Sequence, residues 1–212
     1  MSCKDIFDDI YRNKVWGEWG AGSGEGSDPL FTRGLVTSLK HIIDQLDIKS
    51  MLDVSCGAGK WIPRLLAQLP HDFKYVGVDV SPIAAQSAAV HCSSFDNAQI
   101  AINDLTQSSI PGQYDLVLCR DTLQHMSNSD IHKSLANLLA IDTKWYAIGS
   151  YPNGANESIE TGKHNFLINL ADAPFNLTPD WMFGELHTTT YYNKHLYLYK
   201  KETLTLKYKH TP

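Results

Sequence analysis

Short apolar runs alternate with amphipathic segments between residues 50 and 151, and this alternation is the main structural signal in the chain. The apolar runs, which predict strands, cover residues 50–55, 74–80, 99–104, 114–120 and 144–151. The intervening segments predict helices over residues 61–68, 82–91 and 129–139, and a short helix or none near Gln107. Several strands are apolar nearly throughout, as expected for a parallel sheet that is covered on both faces. The order of elements predicts a doubly wound α/β fold.

The N-terminal part of the chain has a different pattern. Its first residues predict a short helix with Ile6 and Ile10 on one face. Residues 17–29 are so rich in glycine that they predict a flexible segment, yet Trp16 and Trp19 stand at its start. We interpret residues 1–31 as a helix and lid, followed by a helix over residues 32–46.

The C-terminal part alternates apolar and polar positions with a period of two. Residues 188–201 and 203–210 show this pattern on either side of a Lys-Glu turn, which predicts a closing antiparallel hairpin. Its lysines, Lys200, Lys201, Lys207 and Lys209, would then be the exposed side of edge strands. We expect a single domain over residues 1–212, with residues 32–212 as its core.

Composition narrows the classes of function. The 212 residues are 43% apolar and 19% charged, which is ordinary for a globular domain, and the formal charge of −5 argues against a nucleic-acid-binding protein. The four cysteines have no CxxC spacing, so neither a disulfide framework nor a zinc site is predicted. The polar, acidic first ten residues and the lack of a long apolar run predict no signal peptide and no membrane span. We therefore expect a cytoplasmic protein.

The first strand ends in a glycine-rich turn, LDVSCGAGKW, which is typical of a backbone that approaches a ligand. A phosphate-binding P-loop needs GxxxxGK[ST], which the turn does not supply. Gly57 and Gly59 match the first two glycines of the dinucleotide fingerprint GxGxxG, but Ile62 stands where the third glycine is required. Asp79, after the second strand, fits the ribose of either NAD or S-adenosylmethionine (SAM). The carboxylate of Asp53 inside the strand and the predicted terminal hairpin favour SAM.

Four segments in this order resemble the motifs of class I SAM-dependent methyltransferases. They are LDVSCGAGKW, YVGVDVSPIAAQSA, INDLTQ and YDLVLCRDTLQHM. The resemblance covers about residues 50–151 and implies a seven-stranded Rossmann-like methyltransferase sheet, mostly parallel with a C-terminal antiparallel hairpin. It also implies that Asp79 binds the ribose hydroxyls, that Asp104 meets the adenine amino group and that Leu105 meets the adenine ring. The cofactor would be SAM, and the product S-adenosylhomocysteine (SAH).

The resemblance implies a wider set of cofactor-binding residues. Asp53 would hold the methionine amino group directly or through water, Arg33 would pair with the methionine carboxylate, and Trp61 and the Trp16 lid would cover the ligand. The full set is Trp16, Arg33, Asp53, Ser55, Gly57, Gly59, Trp61, Asp79, Val80, Asp104, Leu105 and Arg120.

A finer resemblance concerns the segment FDDIYRNKVWGEWGAGSGEGS, the QHM stretch and the residues after the fifth strand. It is similar to a subgroup of small methyltransferases associated with glycan assembly, and implies O-methylation of a sugar hydroxyl such as that of a deoxyhexose, in some cases within a larger glycan-modifying assembly. Where that subgroup has Arg, this chain has His164 and Asn165. The acceptor side would comprise Tyr151, Asn153, Asn156, Phe175 and Trp181.

A sugar hydroxyl needs a general base, and His125 and then Asp121 are the first candidates because both follow the fourth strand. His164 and Glu185 are weaker candidates. No ligand spacing requires a metal, although Mg²⁺ dependence stays open. The alternatives are methylation of another small molecule or of a nitrogen, a noncatalytic SAM-binding domain, and a dehydrogenase. The fourth strand lacks the (D/N)PP(Y/F) signature of amino-group methylation, which disfavours that variant.

Overall fold

The computed structural model describes residues 2–163, 167–185 and 193–209. The strands are β1 (Ser50–Asp53), β2 (Lys74–Asp79), β3 (Ala98–Ile102), β4 (Gln113–Cys119), β5 (Asp142–Ser150), β6 (Trp181–Gly184) and β7 (His195–Lys200). The helices are α1 (Cys3–Arg12), α2 (Arg33–Gln45), α3 (Ile62–Leu66), α4 (Pro82–His91), α5 (Asn128–Leu139) and α6 (Lys201–Lys209). Short 3₁₀ turns occupy Trp19–Gly22, Glu25–Ser27 and Leu123–His125. The residues between β3 and β4, where the sequence predicts a short helix or none, contain no helix.

The strands form one sheet in the order β3-β2-β1-β4-β5-β7-β6. The first five strands in this order pair in parallel, whereas β7 is antiparallel to both of its neighbours. The predicted fold class, a doubly wound seven-stranded sheet with an antiparallel C-terminal pair, is therefore confirmed. The chain reverses its strand order between β1 and β4, which is where doubly wound sheets bind ligands.

The central strands of the sheet are buried on both faces, as their apolar sequences predicted, whereas the edge strands β3 and β6 are largely exposed. Alternate strand residues such as Leu52 and Val117 pack against one layer of helices, which includes α1, α5 and α6. Their neighbours Met51 and Leu116 pack on the opposite face, against α2 and α3. Because both faces are covered, polar side chains are accommodated mainly where the strands end.

The predicted hairpin is wrong in its second strand. Residues Lys201–Lys209 form helix α6, and the antiparallel partner of β7 is β6, which the sequence analysis did not predict. In α6, Leu204 is buried, the Tyr208 hydroxyl donates to the carbonyl of His132, and the Lys201 ammonium donates to the carbonyl of Ile141. In this short segment the alternation of apolar and polar residues favoured a strand, but tertiary contacts decide in favour of a helix. Lys201, Lys207 and Lys209 accordingly lie on a helix.

The glycine-rich segment is folded, which corrects the expectation of a flexible loop. We call residues 16–31 the cover segment. Its Asp28 carboxylate accepts hydrogen bonds from the backbone N–H groups of Gly20 (3.4 Å) and Leu30 (2.9 Å) and pairs with the ammonium of Lys60 at 2.9 Å. The segment is fixed by contacts with the core, since glycines alone would not hold one conformation.

Candidate active site

The carboxyl ends of four neighbouring strands meet in a cleft at one edge of the sheet. Its lining comes from the residues at the ends of β1, β2, β3 and β4 and from the N-terminal part of the chain. The empty space of the cleft, including its mouth, is about 620 Å³. The predicted site residues that line it are Trp16, Ser55, Gly57, Asp79, Val80, Asp104, Leu105, Arg120 and Asp121. Parallel strands present their carboxyl ends at the same edge, which is why sequence position identified so much of this surface.

The glycine turn after β1 is held against the end of β2 by Asp79. One oxygen of the Asp79 carboxylate accepts from the N–H of Gly57 at 2.9 Å, and the other accepts from the N–H of Ser81 at 2.9 Å. Burial raises the pKa of Asp79 to about 6, against the effect of these hydrogen bonds. Gly57 has φ +58°, and a Cβ there would lie 2.7 Å from the Ser23 hydroxyl, so the turn requires glycine at this position.

Asp53 lies beneath the cleft and does not line it. Its carboxylate accepts from the Tyr75 hydroxyl at 3.3 Å and from the N–H of Ser55 at 3.5 Å. Burial raises the pKa of Asp53 to about 7. In this conformation the predicted direct contact with a methionine amino group is therefore not available to Asp53, and Ser55 presents the end of β1 to the cleft.

Three further predicted site residues lie outside the cleft. Trp61 is buried in the core on the face of α2 and α3, so it is a packing residue. Gly59 has φ +68°, and a Cβ there would meet the Ala88 side chain at 2.9 Å, so this glycine allows the turn to approach α4. Arg33 is exposed at the first residue of α2 and does not reach the cleft. In this conformation these three residues lie apart from the cleft lining.

The residues that follow β3 line one side of the cleft with both polar and apolar side chains. One Asp104 carboxylate oxygen accepts from the N–H of Thr106 at 2.9 Å and from its hydroxyl at 2.6 Å, and Leu105 lines the cleft beside it. The neighbouring Asn103 also lines the cleft, and its buried side-chain oxygen has no hydrogen-bond partner among the described residues. An unpaired buried acceptor is costly, so this oxygen is suited to a ligand N–H or O–H group.

The N-terminal helix and the cover segment close the cleft. The lining residues that sequence analysis missed are Cys3, Phe7, Tyr11, Ser23, Ser27, Val54, Asn103, Thr122 and Met126. Cys3, Phe7 and Tyr11 are spaced by four residues, so they share one face of α1, and this spacing was a usable signal. The hydroxyl of Ser23 accepts from the N–H of Ala58 at 2.8 Å and lies 2.9 Å from the Tyr11 hydroxyl. The cover segment therefore rests directly on the glycine turn.

A buried cluster of four charged residues stands at the other end of the cleft. The Arg120 guanidinium donates to both carboxylate oxygens of Glu185, at 2.8 and 2.7 Å, and to the carbonyl of Gly26 at 2.8 Å. It also pairs with Asp121 at 2.8 Å, and the Lys194 ammonium donates to both oxygens of Asp121 at 2.6 Å. All three guanidinium nitrogens of Arg120 therefore have protein partners, which leaves Arg120 poorly suited to bind a cofactor directly.

This arrangement argues against Asp121 as a general base. Burial alone would raise the pKa of Asp121, but the positive charges of Arg120 and Lys194 hold it well below its ordinary range. A carboxylate stabilised so strongly in its ionised form is a weak proton acceptor. Asp121 also has φ +55°, an unusual backbone conformation for a residue other than glycine, which places its side chain among these partners.

His125 lies just behind the cleft, in the 3₁₀ turn that follows β4. Its ring is buried against Trp16, with the ring centroids 4.6 Å apart, and its Nδ1 atom has no hydrogen-bond partner among the described residues. Burial lowers the pKa of His125 to about 4, and the charge of Asp121 offsets this only in part. The imidazole is therefore neutral at pH 7 and retains a lone pair. Trp16 separates it from the cleft that Thr122 and Met126 line.

The residues predicted to form the acceptor side lie mostly apart from one another and from the cleft. Phe175 is fully buried in the core, and the Asn156 side chain bonds the carbonyls of Asn169 and Ala173, so both stabilise the segment after β5. Trp181 is 48% exposed on the edge strand β6, and Asn153 is exposed. Tyr151 alone of this set adjoins the cleft, with its hydroxyl 3.5 Å from an Asp121 oxygen. His164 and Asn165 lie outside the described residues.

The described ranges contain neither a candidate metal cluster nor a membrane-spanning helix. No three or more His, Cys, Asp or Glu side chains there are grouped so that they could hold a metal ion. No helix in the same part of the chain is long and apolar enough to cross a membrane.

Comparison with known proteins agrees with the fold. A family described as a methyltransferase domain matches residues 51–141. The structure is similar to PigF with SAH (TM-score 0.65, 13% identity), with 92% of this chain aligned to 62% of that one. It is similar to magnesium protoporphyrin IX methyltransferase from Synechocystis PCC 6803 with bound SAH (TM-score 0.63, 16% identity), with 93% of this chain aligned to 97% of that one. It is also similar to human N-acetylserotonin methyltransferase in complex with SAM (TM-score 0.66, 14% identity), with 94% of this chain aligned to 60% of that one.

The chain thus spans about three fifths of PigF and of the human enzyme, but nearly all of the Synechocystis enzyme. No curated protein matches the sequence. At these identities the solved structures establish the fold, while the matched family covers the strand ends that build the cleft from Asp53 to Thr122. Residues 51–141 therefore match a methyltransferase domain family, and the sheet that contains them has the fold of these SAM- and SAH-bound methyltransferases.

Proposed function

We propose that this protein transfers a methyl group from SAM to a hydroxyl group of a sugar. The sugar is either a small molecule or part of a glycan. The single observation that carries the transferase assignment is the ordered set of polar groups at the strand ends, with Asp79, Asn103 and Asp104 on one side of the cleft and Thr122 at the other.

The cleft residues fit the proposed cofactor. The carboxylate of Asp79 is suited to a ribose diol, and the unpaired oxygen of Asn103 and the carboxylate of Asp104 are suited to an amino group. The apolar side chains of Phe7 and Leu105 offer surfaces for an adenine ring. When bound, SAM supplies an electrophilic methyl group on a positively charged sulfur atom.

His125 is the proposed proton acceptor. It is neutral at pH 7 and carries an unpaired Nδ1, so this nitrogen is available to take the proton of an acceptor hydroxyl as the oxygen is methylated, and its pKa of about 4 makes it a weaker base than a free imidazole. In the described conformation Trp16 lies against the ring. We therefore expect Trp16 to move when the acceptor enters, and expect its return to exclude water.

The choice of a sugar rests on the resemblance of the N-terminal segment to methyltransferases of glycan assembly. Tyr151 and Trp16 provide aromatic surface near the Asp121 end of the cleft, and Ser27 and Thr122 provide hydroxyl groups there. Aromatic faces together with hydroxyl groups suit a sugar ring.

A transfer screen tests the proposal. Purified protein is incubated with labelled SAM and a panel of nucleotide sugars, defined oligosaccharides, phenols, indoles and small amines, and the methyl group is located by mass spectrometry. We expect a methyl ether on a sugar hydroxyl. Methylation confined to a nitrogen, a carboxylate, protein or RNA would contradict the acceptor class, and tight SAM binding with no transfer to any acceptor would favour a noncatalytic domain.

Substitution of His125 tests the base. We expect His125→Ala to lower kcat about 100-fold or more while SAM binding measured by calorimetry changes little, because the proton acceptor does not hold the cofactor. The control is His71→Gln, since His71 is exposed and remote from the cleft lining. An undiminished kcat in His125→Ala would exclude this residue as the base.

A further inference from the structure

We propose that Glu185 is a positioning residue that acts through Arg120 to hold the cover segment closed over the cleft. This inference rests on the proposed function for its kinetic readouts, but it concerns a residue that does not line the cleft. Glu185 follows β6, about 160 residues after the cover segment in sequence, and belongs to no methyltransferase motif recognised in the sequence.

The link begins with a fully buried ion pair. The side chain of Glu185 is 2% exposed and that of Arg120 is 4% exposed, and the two form a bidentate pair through Nε and one terminal nitrogen of the guanidinium. A bidentate pair fixes the plane of the guanidinium as well as its position. The remaining terminal nitrogen is thereby directed at the Gly26 carbonyl, 2.8 Å away.

Gly26 is the point at which the cover segment meets the end of β4. A Cβ built on Gly26 would lie 2.6 Å from an Asp121 oxygen and 3.5 Å from the Lys194 ammonium, so the backbone of the cover segment is in close contact with the charged cluster. The Asp121 carboxylate cannot easily move away from Gly26, because the Lys194 ammonium donates hydrogen bonds to both of its oxygens. Only glycine allows this approach.

The cluster is balanced in charge, and Glu185 is needed for the balance. Arg120 and Lys194 carry two positive charges, and Asp121 and Glu185 carry two negative charges. Without the carboxylate of Glu185, Arg120 keeps Asp121 as its remaining anionic partner, and Asp121 is already shared with Lys194. The guanidinium then has no fixed plane, and its donation to Gly26 is weakened. The cover segment also carries Ser23 and Trp16, so the loosening extends to the glycine turn and to His125.

The first test is Glu185→Gln, which keeps the shape of the side chain and removes its charge. We expect hydrogen exchange of residues 17–29 to accelerate about tenfold and the KM for SAM to rise about tenfold, with kcat within about threefold of the wild type. The matched control is Glu160→Gln, because Glu160 is 83% exposed and its oxygen lies 3.9 Å from Lys163. A residue with only a structural role would alter the exchange of the core strands β4 and β5 as much as that of the cover segment.

Gly26→Ala tests the same link from the other side and leaves every charge in place. Its Cβ would meet Asp121, so we expect the same faster exchange of residues 17–29 and the same rise in KM, and we expect the double variant to be less than additive. Unchanged exchange of the cover segment in Glu185→Gln, or full additivity with Gly26→Ala, would overturn the inference. Exchange is measured on the ligand-free protein, so failure of the wild type to bind SAH would count against the proposed function alone.

Discussion

At the scale of single residues, three carboxylates near the cleft differ in their affinity for protons. Burial raises the pKa of Asp53 to about 7 and that of Asp79 to about 6, because their nearest partners are neutral N–H and O–H groups. The Asp121 side chain is 17% exposed, and Arg120 and Lys194 hold its pKa far lower. The partners supplied by the fold, and not residue type, decide which carboxylate is fixed as an anion.

Asp53 gives a test of this difference. Its pKa is raised on folding, so the folded state binds more protons between about pH 4 and 7, and this group's contribution to stability falls as the pH rises through that range. We expect Asp53→Asn to gain stability relative to the wild type from pH 4 to pH 8, by up to ~4 kcal/mol. Urea unfolding of both proteins at several pH values measures this difference in stability.

The exposed Asp96→Asn serves as the control for Asp53 and should follow the pH dependence of the wild type. A constant difference between Asp53→Asn and the wild type at all pH values would show that the Asp53 carboxyl titrates normally.

At the scale of secondary structure elements, helix α1 is attached to the sheet through the start of α4. The hydroxyl of Ser81 donates to the buried Asp8 of α1 at 2.6 Å and also accepts from the N–H of Ala84 as the N-cap of α4. One side chain therefore both caps a helix and positions the helix that carries Cys3, Phe7 and Tyr11 into the cleft.

Removal of the Ser81 hydroxyl should thus cost more than removal of an ordinary cap. We expect Ser81→Ala to lower the free energy of unfolding by about 2–3 kcal/mol, because the N-cap is lost and the Asp8 carboxylate loses a buried donor. Ser127 caps α5 through the N–H of Asp130 at 3.2 Å, and Ser127→Ala should cost only about 1 kcal/mol. Equal losses in the two variants would mean that the link to Asp8 adds nothing.

At the scale of the whole molecule, residues from both ends of the chain meet at the switch point of the sheet. The cover segment contributes Ser23 and Gly26, the strand ends contribute Gly57 and Asp121, and the region after β6 contributes Glu185. A ligand bound between these parts would contact only the folded state, so its binding should be visible as added stability.

SAH and NAD⁺ distinguish the two cofactor classes that the glycine turn left open. At 100 times its Kd, SAH should add about 2.7 kcal/mol of stability and raise the unfolding temperature by roughly 5–10 °C. We expect NAD⁺ at the same concentration to leave the unfolding temperature unchanged. A larger shift with NAD⁺ than with SAH, measured by scanning calorimetry, would revive the dehydrogenase alternative.

The sequence by itself determined the five parallel strands and the positions of their carboxyl ends. Strand–helix alternation and apolar strands follow from covering both faces of a parallel sheet, so local pattern and global fold agree from residue 50 to residue 150. Asp79 and Asp104 were identifiable for the same reason, because a polar side chain at the carboxyl end of a parallel strand lies at the cleft edge. The spacing of Cys3, Phe7 and Tyr11 would have extended the site to α1.

Only the tertiary structure decided the rest. Trp61 and Phe175 have the same side chains whether they cover a ligand or fill a core, and burial alone separates the two roles. Residues 201–209 alternate as a strand would, but their contacts with β5, β7 and α5 make them a helix. The pairing of Arg120 with Glu185 and Gly26 joins residues far apart in sequence, and no local pattern records a contact of that kind. Local pattern fixes periodicity and strand ends, whereas the partners of a buried charge depend on how distant segments pack.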